Sequence, residues 1–77
     1  MAKALTKRQT EVLRYIARTQ REKGWAPTVK EMCEAFGWGS THSAFMHLTA
    51  LAERGAITRE ARSPRAIRIT TAGRRAL

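Results

Sequence analysis

The residues from position 40 to position 46 carry the side chains best suited to contacting the edges of DNA bases. Serine and threonine hydroxyls hydrogen-bond to bases, an imidazole donates to guanine acceptors, and bulky apolar side chains pack on the thymine methyl group. The side chains with these properties are Ser40, Thr41, His42, Ser43, Phe45 and Met46. We expect all six to contact bases in the major groove of double-stranded DNA.

A helical wheel shows why two of these residues are unusual. If the segment is a helix, Ala44, Leu48 and Leu51 form the arc that faces the core, whereas Phe45 and Met46 fall on the outer side. An outward apolar pair suits a base edge, but it also suits a protein partner or a dimer face. Two hypotheses therefore stay open: a DNA-binding regulator, and a protein-interaction module that binds another regulator or a second copy of itself through Phe45 and Met46.

The charge of the chain favours a polyanionic partner. Fifteen Lys and Arg residues oppose six Glu residues, with no Asp, which gives a net charge of +9 in 77 residues. A strongly basic small domain is typical of nucleic-acid binders. No Lys or Arg lies between Glu31 and Glu53, so the positive charge surrounds the residues expected to contact bases instead of lying among them.

Cations and one helix start around this segment are expected to contact phosphates and so to position the protein on the duplex. Lysine and arginine attract the backbone electrostatically, and the N–H groups at a helix start point towards anions. The expected phosphate and wing contacts are Lys7, Arg8, Thr28, Lys30, Arg54, Arg59, Arg62 and Arg65.

The other reactive side chains give no sign of catalysis or metal binding. Neither His42 nor His47 is spaced for metal binding with Cys33, the single cysteine. We expect Cys33 to be a small core residue and His47 to be structural. No enzymatic activity, cofactor or small-molecule ligand is therefore predicted. No membrane association is predicted either, because no apolar run approaches the ~20 residues of a spanning helix. A lone cysteine fits the reducing cytoplasm. There, DNA binding would associate the protein with the nucleoid.

Start and stop signals divide the first part of the chain into three helices. Capping boxes begin the first two at Thr6 and Thr28, Ser40 or Thr41 caps the third, and a glycine follows each helix. The expected helices are about residues 7–22, 28–36 and 41–53. The short glycine-bearing link between the last two is typical of a helix-turn-helix.

Beyond the third helix the apolar residues alternate, which predicts two strands. Ile57 lies on the inner side of the first strand, and Ile67 and Ile69 lie on the inner side of the second. A Ser-Pro pair supplies the turn between them, so a hairpin is expected over about residues 56–70. The sequence therefore predicts one mainly α domain with a small β-hairpin over residues 1–77, a three-helix winged helix-turn-helix.

Five short motifs together resemble the N-terminal DNA-binding domain of LexA-type SOS repressors. They are LTKRQTEVLRYI, the G-x-x-P-T spacing from Gly24 to Thr28, FGWGS, HLTALAERGAI and RAIRI. The resemblance extends over roughly residues 4–69 and implies a winged helix that binds operator DNA and represses transcription. It also implies base contacts at Ser40, His42, Ser43, Phe45 and Met46.

The chain also departs from the LexA pattern. LexA-type domains commonly carry Asn at the position of His42, and many carry Glu at those of Phe45 and Met46, so the family's usual operator is not expected. The hairpin turn lacks the family's usual glycine. LexA-type repressors continue into a self-cleaving, dimerising domain, whereas this sequence ends at Leu77. The chain is expected to be either an excised domain or a free-standing regulator of the kind that phage and mobile elements encode. The unusual contact residues and the tail TTAGRRAL favour the second, with at most a weak homodimer on DNA.

Overall fold

The computed structural model describes residues 5–59 and 67–77, which contain four helices and two short strands. In chain order these are α1 (Lys7–Lys23), α2 (Val29–Phe36), α3 (Thr41–Glu53), β1 (Ile57–Arg59), β2 (Ile67–Ile69) and α4 (Thr71–Arg75). The strands pair antiparallel, with Ile57 opposite Ile69. Helices followed by a hairpin confirm the predicted winged helix-turn-helix, although α1 ends one residue later than expected and Thr28 precedes α2 as its cap.

Both predicted capping boxes form. The Thr6 hydroxyl accepts from the Gln9 N–H at 3.1 Å, while the Gln9 side-chain oxygen accepts from the Thr6 N–H at 2.9 Å. Thr28 and Glu31 exchange the same two bonds at 3.1 and 3.2 Å. These bonds satisfy N–H groups that have no partner inside the helix, so they fix where α1 and α2 begin.

The turn between α2 and α3 depends on a glycine. Gly37 has a φ of 70°, a left-handed conformation that residues with a Cβ rarely adopt. This conformation lets the Trp38 N–H donate to the Cys33 carbonyl at 3.0 Å, which closes α2. The chain then re-enters a helix at Thr41, so α2 and α3 form the predicted helix-turn-helix.

A Schellman motif turns the chain from α3 into the hairpin. The Gly55 N–H donates to the Ala52 carbonyl at 3.0 Å, and the Ala56 N–H donates to the Leu51 carbonyl at 2.9 Å. Gly55 takes the required left-handed conformation with a φ of 75°. The direction in which β1 leaves α3 is therefore set by local hydrogen bonds.

The core lies where the helices and the hairpin meet. Its fully buried residues are Val12, Leu13, Ile16, Ala26, Met32, Leu48, Leu51, Ala56, Ile57 and Ile67. Ile57 and Ile67 anchor the hairpin, as predicted, and Ile69 is partly buried against the same core. The Gln20 side-chain N–H also donates to the Ile67 carbonyl at 2.7 Å, which ties β2 to α1. An isolated hairpin is marginal in water, so these contacts hold the wing in place.

The expectation that Cys33 is a core residue is wrong. Met32 is the completely buried residue of α2, and Cys33 is only half-buried at the edge of the helix. Its thiol faces the following turn, where it donates to the Ser40 carbonyl at 3.5 Å. The apolar periodicity of α2 marks the correct side of the helix, but that helix is too short to bury the whole stripe.

The C-terminal tail, whose sequence fits either a helical turn or a frayed end, forms α4. Thr70 caps it by accepting from the Gly73 N–H at 2.9 Å. The Thr70 N–H donates to the Ala56 carbonyl at 3.0 Å, and its hydroxyl donates to the Gly55 carbonyl. Gly73 is buried against the Ala56 carbonyl, so α4 packs closely on the junction between α3 and β1.

This close packing predicts a large effect of one added methyl group. A Cβ on residue 73 would overlap the carbonyl oxygen of Ala56 and lie 3.0 Å from a side-chain methyl of Ile69. We expect Gly73→Ala to lower the free energy of unfolding by about 1–3 kcal/mol, the usual cost of overpacking, in urea titrations followed by circular dichroism.

Gly39→Ala is the matched control, because a Cβ there meets no atom within 4 Å. Its free energy of unfolding should stay within about 0.5 kcal/mol of the parent value. Equal stability of the two variants would contradict the packing of α4.

Candidate nucleic-acid interface

The outer face of α3 follows from which of its residues the core buries. Leu48 and Leu51 are completely buried, as is Ala44, whereas Phe45 is 44% exposed and Met46 is 59% exposed. Burial of the inner arc fixes the rotation of α3 about its axis. The two bulky apolar residues therefore lie on the surface, as the helical wheel predicts.

The first turn of α3 adds polar side chains at the same end of the helix. Ser40, Thr41 and His42 are exposed, and Ser43 is half-buried. Ser40 is the N-cap, but its side chain makes no capping hydrogen bond. The start of α3 thus carries the positive end of the helix dipole without a side-chain cap. The structure brings the six residues expected to contact bases together at the N-cap and in the first two turns of one helix.

An aromatic stack holds α3 against the other helices. Tyr15 meets the edge of Phe36 with ring centroids 5.4 Å apart, Phe36 stacks on Trp38 at 4.9 Å, and Trp38 tilts against His47 at 4.8 Å. The four rings come from α1, α2, the turn and α3 respectively. Aromatic pairs in such geometries add about 0.5–1.5 kcal/mol each beyond their burial, so the stack resists displacement of α3.

Arg8 joins the stack to the start of α1. Its guanidinium carbon lies 5.1 Å from the centroid of Phe36, and its Nη1 donates to the Glu11 carboxylate at 3.0 Å. Arg8 also lines, with Met46 and His47, an open groove of about 270 Å³ between α1 and α3. This arginine therefore lies beside the outer face of α3, although part of its charge is engaged by Glu11.

Arg59 supplies a second cation to α3, from the first strand of the wing. Its guanidinium carbon lies 5.4 Å from the ring centroid of Phe45. Arg59 is exposed, and Phe45 keeps nearly half of its surface accessible. Since α3 has no Lys or Arg of its own, Arg8 and Arg59 bring positive charge to its two exposed apolar residues from neighbouring elements.

The start of α2 is a poorer anion site than its sequence suggests. Lys30 is exposed in the first turn, as Lys7 is in the first turn of α1. However, the Thr28 hydroxyl and N–H both hydrogen-bond to the Glu31 carboxylate, at 3.0 and 3.2 Å. A carboxylate already occupies the positive end of the helix dipole, so a phosphate would have to approach against its charge.

Arg54 lies at the end of α3 and is half-buried. Within residues 5–59 and 67–77, its Nε is the one buried side-chain nitrogen or oxygen without a hydrogen-bond partner. Arg62 and Arg65, predicted as wing contacts, lie outside the described residues.

Comparison with known proteins identifies the family of this chain. Residues 2–66 match the model of the LexA DNA binding domain. The chain belongs to the LexA DNA-binding domain family. It is 48% identical over 69 residues to the LexA repressor of Caldicellulosiruptor saccharolyticus, and 46% identical over 67 residues to that of Ligilactobacillus salivarius. These alignments cover 90% and 87% of this chain, which spans only about a third of the length of either relative.

In this LexA-type domain, sequence reasoning missed the aromatic stack. Trp38 lies in the turn, where helical periodicity makes no prediction, so its contacts with Phe36 and His47 depend on how the helices pack. Tyr15 follows Val12 at helical spacing, which was the available signal for a further inward residue on α1. The contact between Arg59 and Phe45 also joins separate elements and has no local signature.

Across residues 5–59 and 67–77, no three His, Cys, Asp or Glu side chains lie close enough together to hold a metal ion. In the same part of the chain, no helix has the length and apolar character needed to cross a membrane.

Burial lowers the pKa of His47, and the nearby positive charge of Arg8 lowers it further. Folding therefore favours the neutral imidazole. As the pH falls below about 6.5, the unfolded chain binds more protons than the folded one. The contribution of His47 to stability is complete above that pH and is lost as the pH falls towards its folded-state pKa.

We predict that His47→Gln reduces the loss of stability between about pH 7 and pH 5, because glutamine does not titrate there. Urea unfolding midpoints across this range measure the effect. His42→Gln, the same substitution at an exposed position of the same helix, controls for the change of side chain. A pH dependence that His47→Gln leaves unchanged would show that another group causes it.

Proposed function

We propose that this chain is a sequence-specific double-stranded-DNA-binding transcription regulator that acts as a repressor, built as one domain over residues 1–77. The observation that carries the proposal is the outer face of α3. There, the second helix of a helix-turn-helix exposes Phe45 and Met46 beside a polar first turn. Membership of the LexA DNA-binding domain family and the similarity to LexA repressors support the same function. The proposed role is non-catalytic and requires no cofactor.

In this proposal α3 enters the major groove with its N-terminal turns against the base edges, as the second helix of such motifs does. The hydroxyls of the first turn hydrogen-bond to bases or phosphates, and His42 donates to a guanine acceptor. Phe45 and Met46 pack on thymine methyl groups, which apolar side chains recognise. The proposed base contacts are Ser40, Thr41, His42, Ser43, Phe45 and Met46.

Phosphate contacts in the proposal come from the elements around α3. The net charge of +9 favours association with a duplex, and the first turns of α1 and α2 carry exposed cations. Such contacts set the register of the protein but carry no sequence information. Lys7, Arg8, Lys30 and Arg54 are proposed for this role. The N-terminus of α2 at Thr28 is proposed only as a minor contact, because the Glu31 carboxylate already accepts from the Thr28 N–H and hydroxyl.

The wing contributes the second point of attachment. Burial of Ile57 and Ile67 holds both strands against the helical core, so the hairpin projects from a fixed base. Arg62 and Arg65 are proposed to contact the DNA backbone from this hairpin.

A second copy of the domain is expected on DNA. A single module of this kind buries only roughly 600–1,000 Å² of protein surface, which usually calls for a neighbouring copy. We propose a monomer in dilute solution that forms a weak homodimer on its operator, in the cytoplasm. Light scattering after size-exclusion chromatography tests the competing interpretation. A stable complex formed without DNA and lost in Phe45→Ala would favour a protein partner on the outer face of α3.

Removal of a base-contacting side chain should weaken binding selectively. After selection of the preferred site from a random duplex library, we expect Phe45→Ala and His42→Ala to bind that site about 5- to 150-fold more weakly. Their affinity for an unrelated duplex should be little changed, because phosphate contacts remain. Fluorescence anisotropy measures both. Unchanged affinity of Phe45→Ala for the selected site would refute the orientation of α3.

Removal of a wing cation should instead weaken binding to every sequence. Arg62→Ala and Arg65→Ala are each expected to reduce the slope of log affinity against log salt by about 0.9, the value for one lost phosphate contact. Arg21→Ala, which removes the same charge from the exposed last turn of α1, is the control and should leave the slope almost unaltered. Identical slopes for all three variants would argue against wing contacts.

A further inference from the structure

We infer that Arg59 and Phe45 form one recognition unit whose target is a T·A base pair directly adjoining a G·C pair. The inference rests on the proposed function, since it requires α3 to lie in the major groove. It replaces the phosphate contact expected of Arg59 from the sequence with a base contact.

Phe45 fixes the position of the Arg59 guanidinium. Arg59 belongs to β1, yet its guanidinium carbon lies 5.4 Å from the ring centroid of Phe45 on α3. An arginine over an aromatic face is held there by attraction to the ring's quadrupole. The contact therefore places a cation on the outer face of a helix that has no Lys or Arg of its own.

The guanidinium of Arg59 has the geometry that recognises guanine. A guanidinium is planar and offers its N–H donors in a fixed fork, which matches the two acceptors of guanine in the major groove. The cation–π contact with Phe45 uses none of the N–H donors of this group as hydrogen-bond donors, so they are left for a base. Arg8, the other arginine beside α3, is less suited to a base because its Nη1 already donates to Glu11 at 3.0 Å.

Phe45 has exposed surface for a thymine beside that guanine. Phe45 is still 44% exposed with Arg59 against it, so apolar ring surface remains for a thymine methyl group. Base pairs follow one another at about 3.4 Å along the duplex. The guanidinium carbon and the ring centroid are 5.4 Å apart, less than the two steps that separate base pairs with another pair between them. The two groups therefore fit adjoining base pairs.

The experiment starts with selection of bound duplexes from a random library by the parent protein. The expected consensus contains a thymine next to a guanine. Anisotropy titrations then use the selected duplex, duplexes with the G·C pair replaced, and a duplex with uracil in place of thymine, which removes only the methyl group. The parent protein should lose about 5- to 150-fold in affinity when the G·C pair is replaced. It should also bind the uracil duplex more weakly.

Arg59→Lys is the decisive variant, because it keeps the charge and loses the planar fork. It should bind all duplexes with nearly the parent salt dependence, but with a smaller preference for the G·C pair, because lysine lacks the planar fork that matches the two guanine acceptors. Phe45→Leu should keep apolar contact with thymine and lose much of the preference for guanine, since leucine has no aromatic face. Arg68→Ala is the matched control, an exposed arginine on the partner strand opposite Thr58, and it should keep both preferences.

The outcomes separate this inference from the proposed function. A consensus without the T·A and G·C step, or an Arg59→Lys variant that keeps the full parent preference for the G·C pair, overturns the inference and leaves the repressor proposal standing. The same holds if Arg59→Ala lowers the affinity for all duplexes equally and Arg59→Lys restores that affinity, because Arg59 is then a phosphate contact. Absence of any sequence preference in the parent protein overturns both.

Discussion

Burial of one arc of α3 is the constraint on which the rest of the structure depends. Leu48 and Leu51 are completely enclosed, and each such side chain contributes about 1.5–3 kcal/mol when it leaves water. A rotation that enclosed Phe45 would expose these leucines and leave cavities in a core that is thin in so small a chain. Phe45 and Met46 therefore stay on the surface, because Ala44, Leu48 and Leu51 already occupy the side of α3 that faces the core.

Charge and apolar surface are divided between different elements. No Lys or Arg lies between Glu31 and Glu53, and the cations near α3 come from α1 and from the wing. Arg8 rests on Phe36 and Arg59 rests on Phe45, so aromatic rings orient both guanidinium groups. Such a division lets a helix without Lys or Arg face a polyanion, because its neighbours supply the attraction.

Local rules predicted most of the fold. The capping boxes at Thr6 and Thr28 depend on residues three positions apart, and the inward isoleucines of the wing follow from simple alternation. Features that join distant elements had no such signal. The contact between the tilted rings of Trp38 and His47 and the approach of Arg59 to Phe45 depend on how helices and strands cross. Periodicity identifies a buried side of α2 but not how much of it a short helix buries, which is why Cys33 was misplaced.

The candidate site was predictable to the extent that one helix contains it. The residues expected to contact bases lie at the N-cap and in the first two turns of α3, and the exposure of Phe45 and Met46 follows from its wheel. The position of β1 and β2 at the base of the wing could not be predicted in this way, because contacts far from α3 determine it. Gln20 holds the Ile67 carbonyl, while Thr70 holds the carbonyls of Gly55 and Ala56. These bonds determine where β1 runs and hence where Arg59 meets α3. Residues remote from the outer face of α3 thus help to define its chemistry.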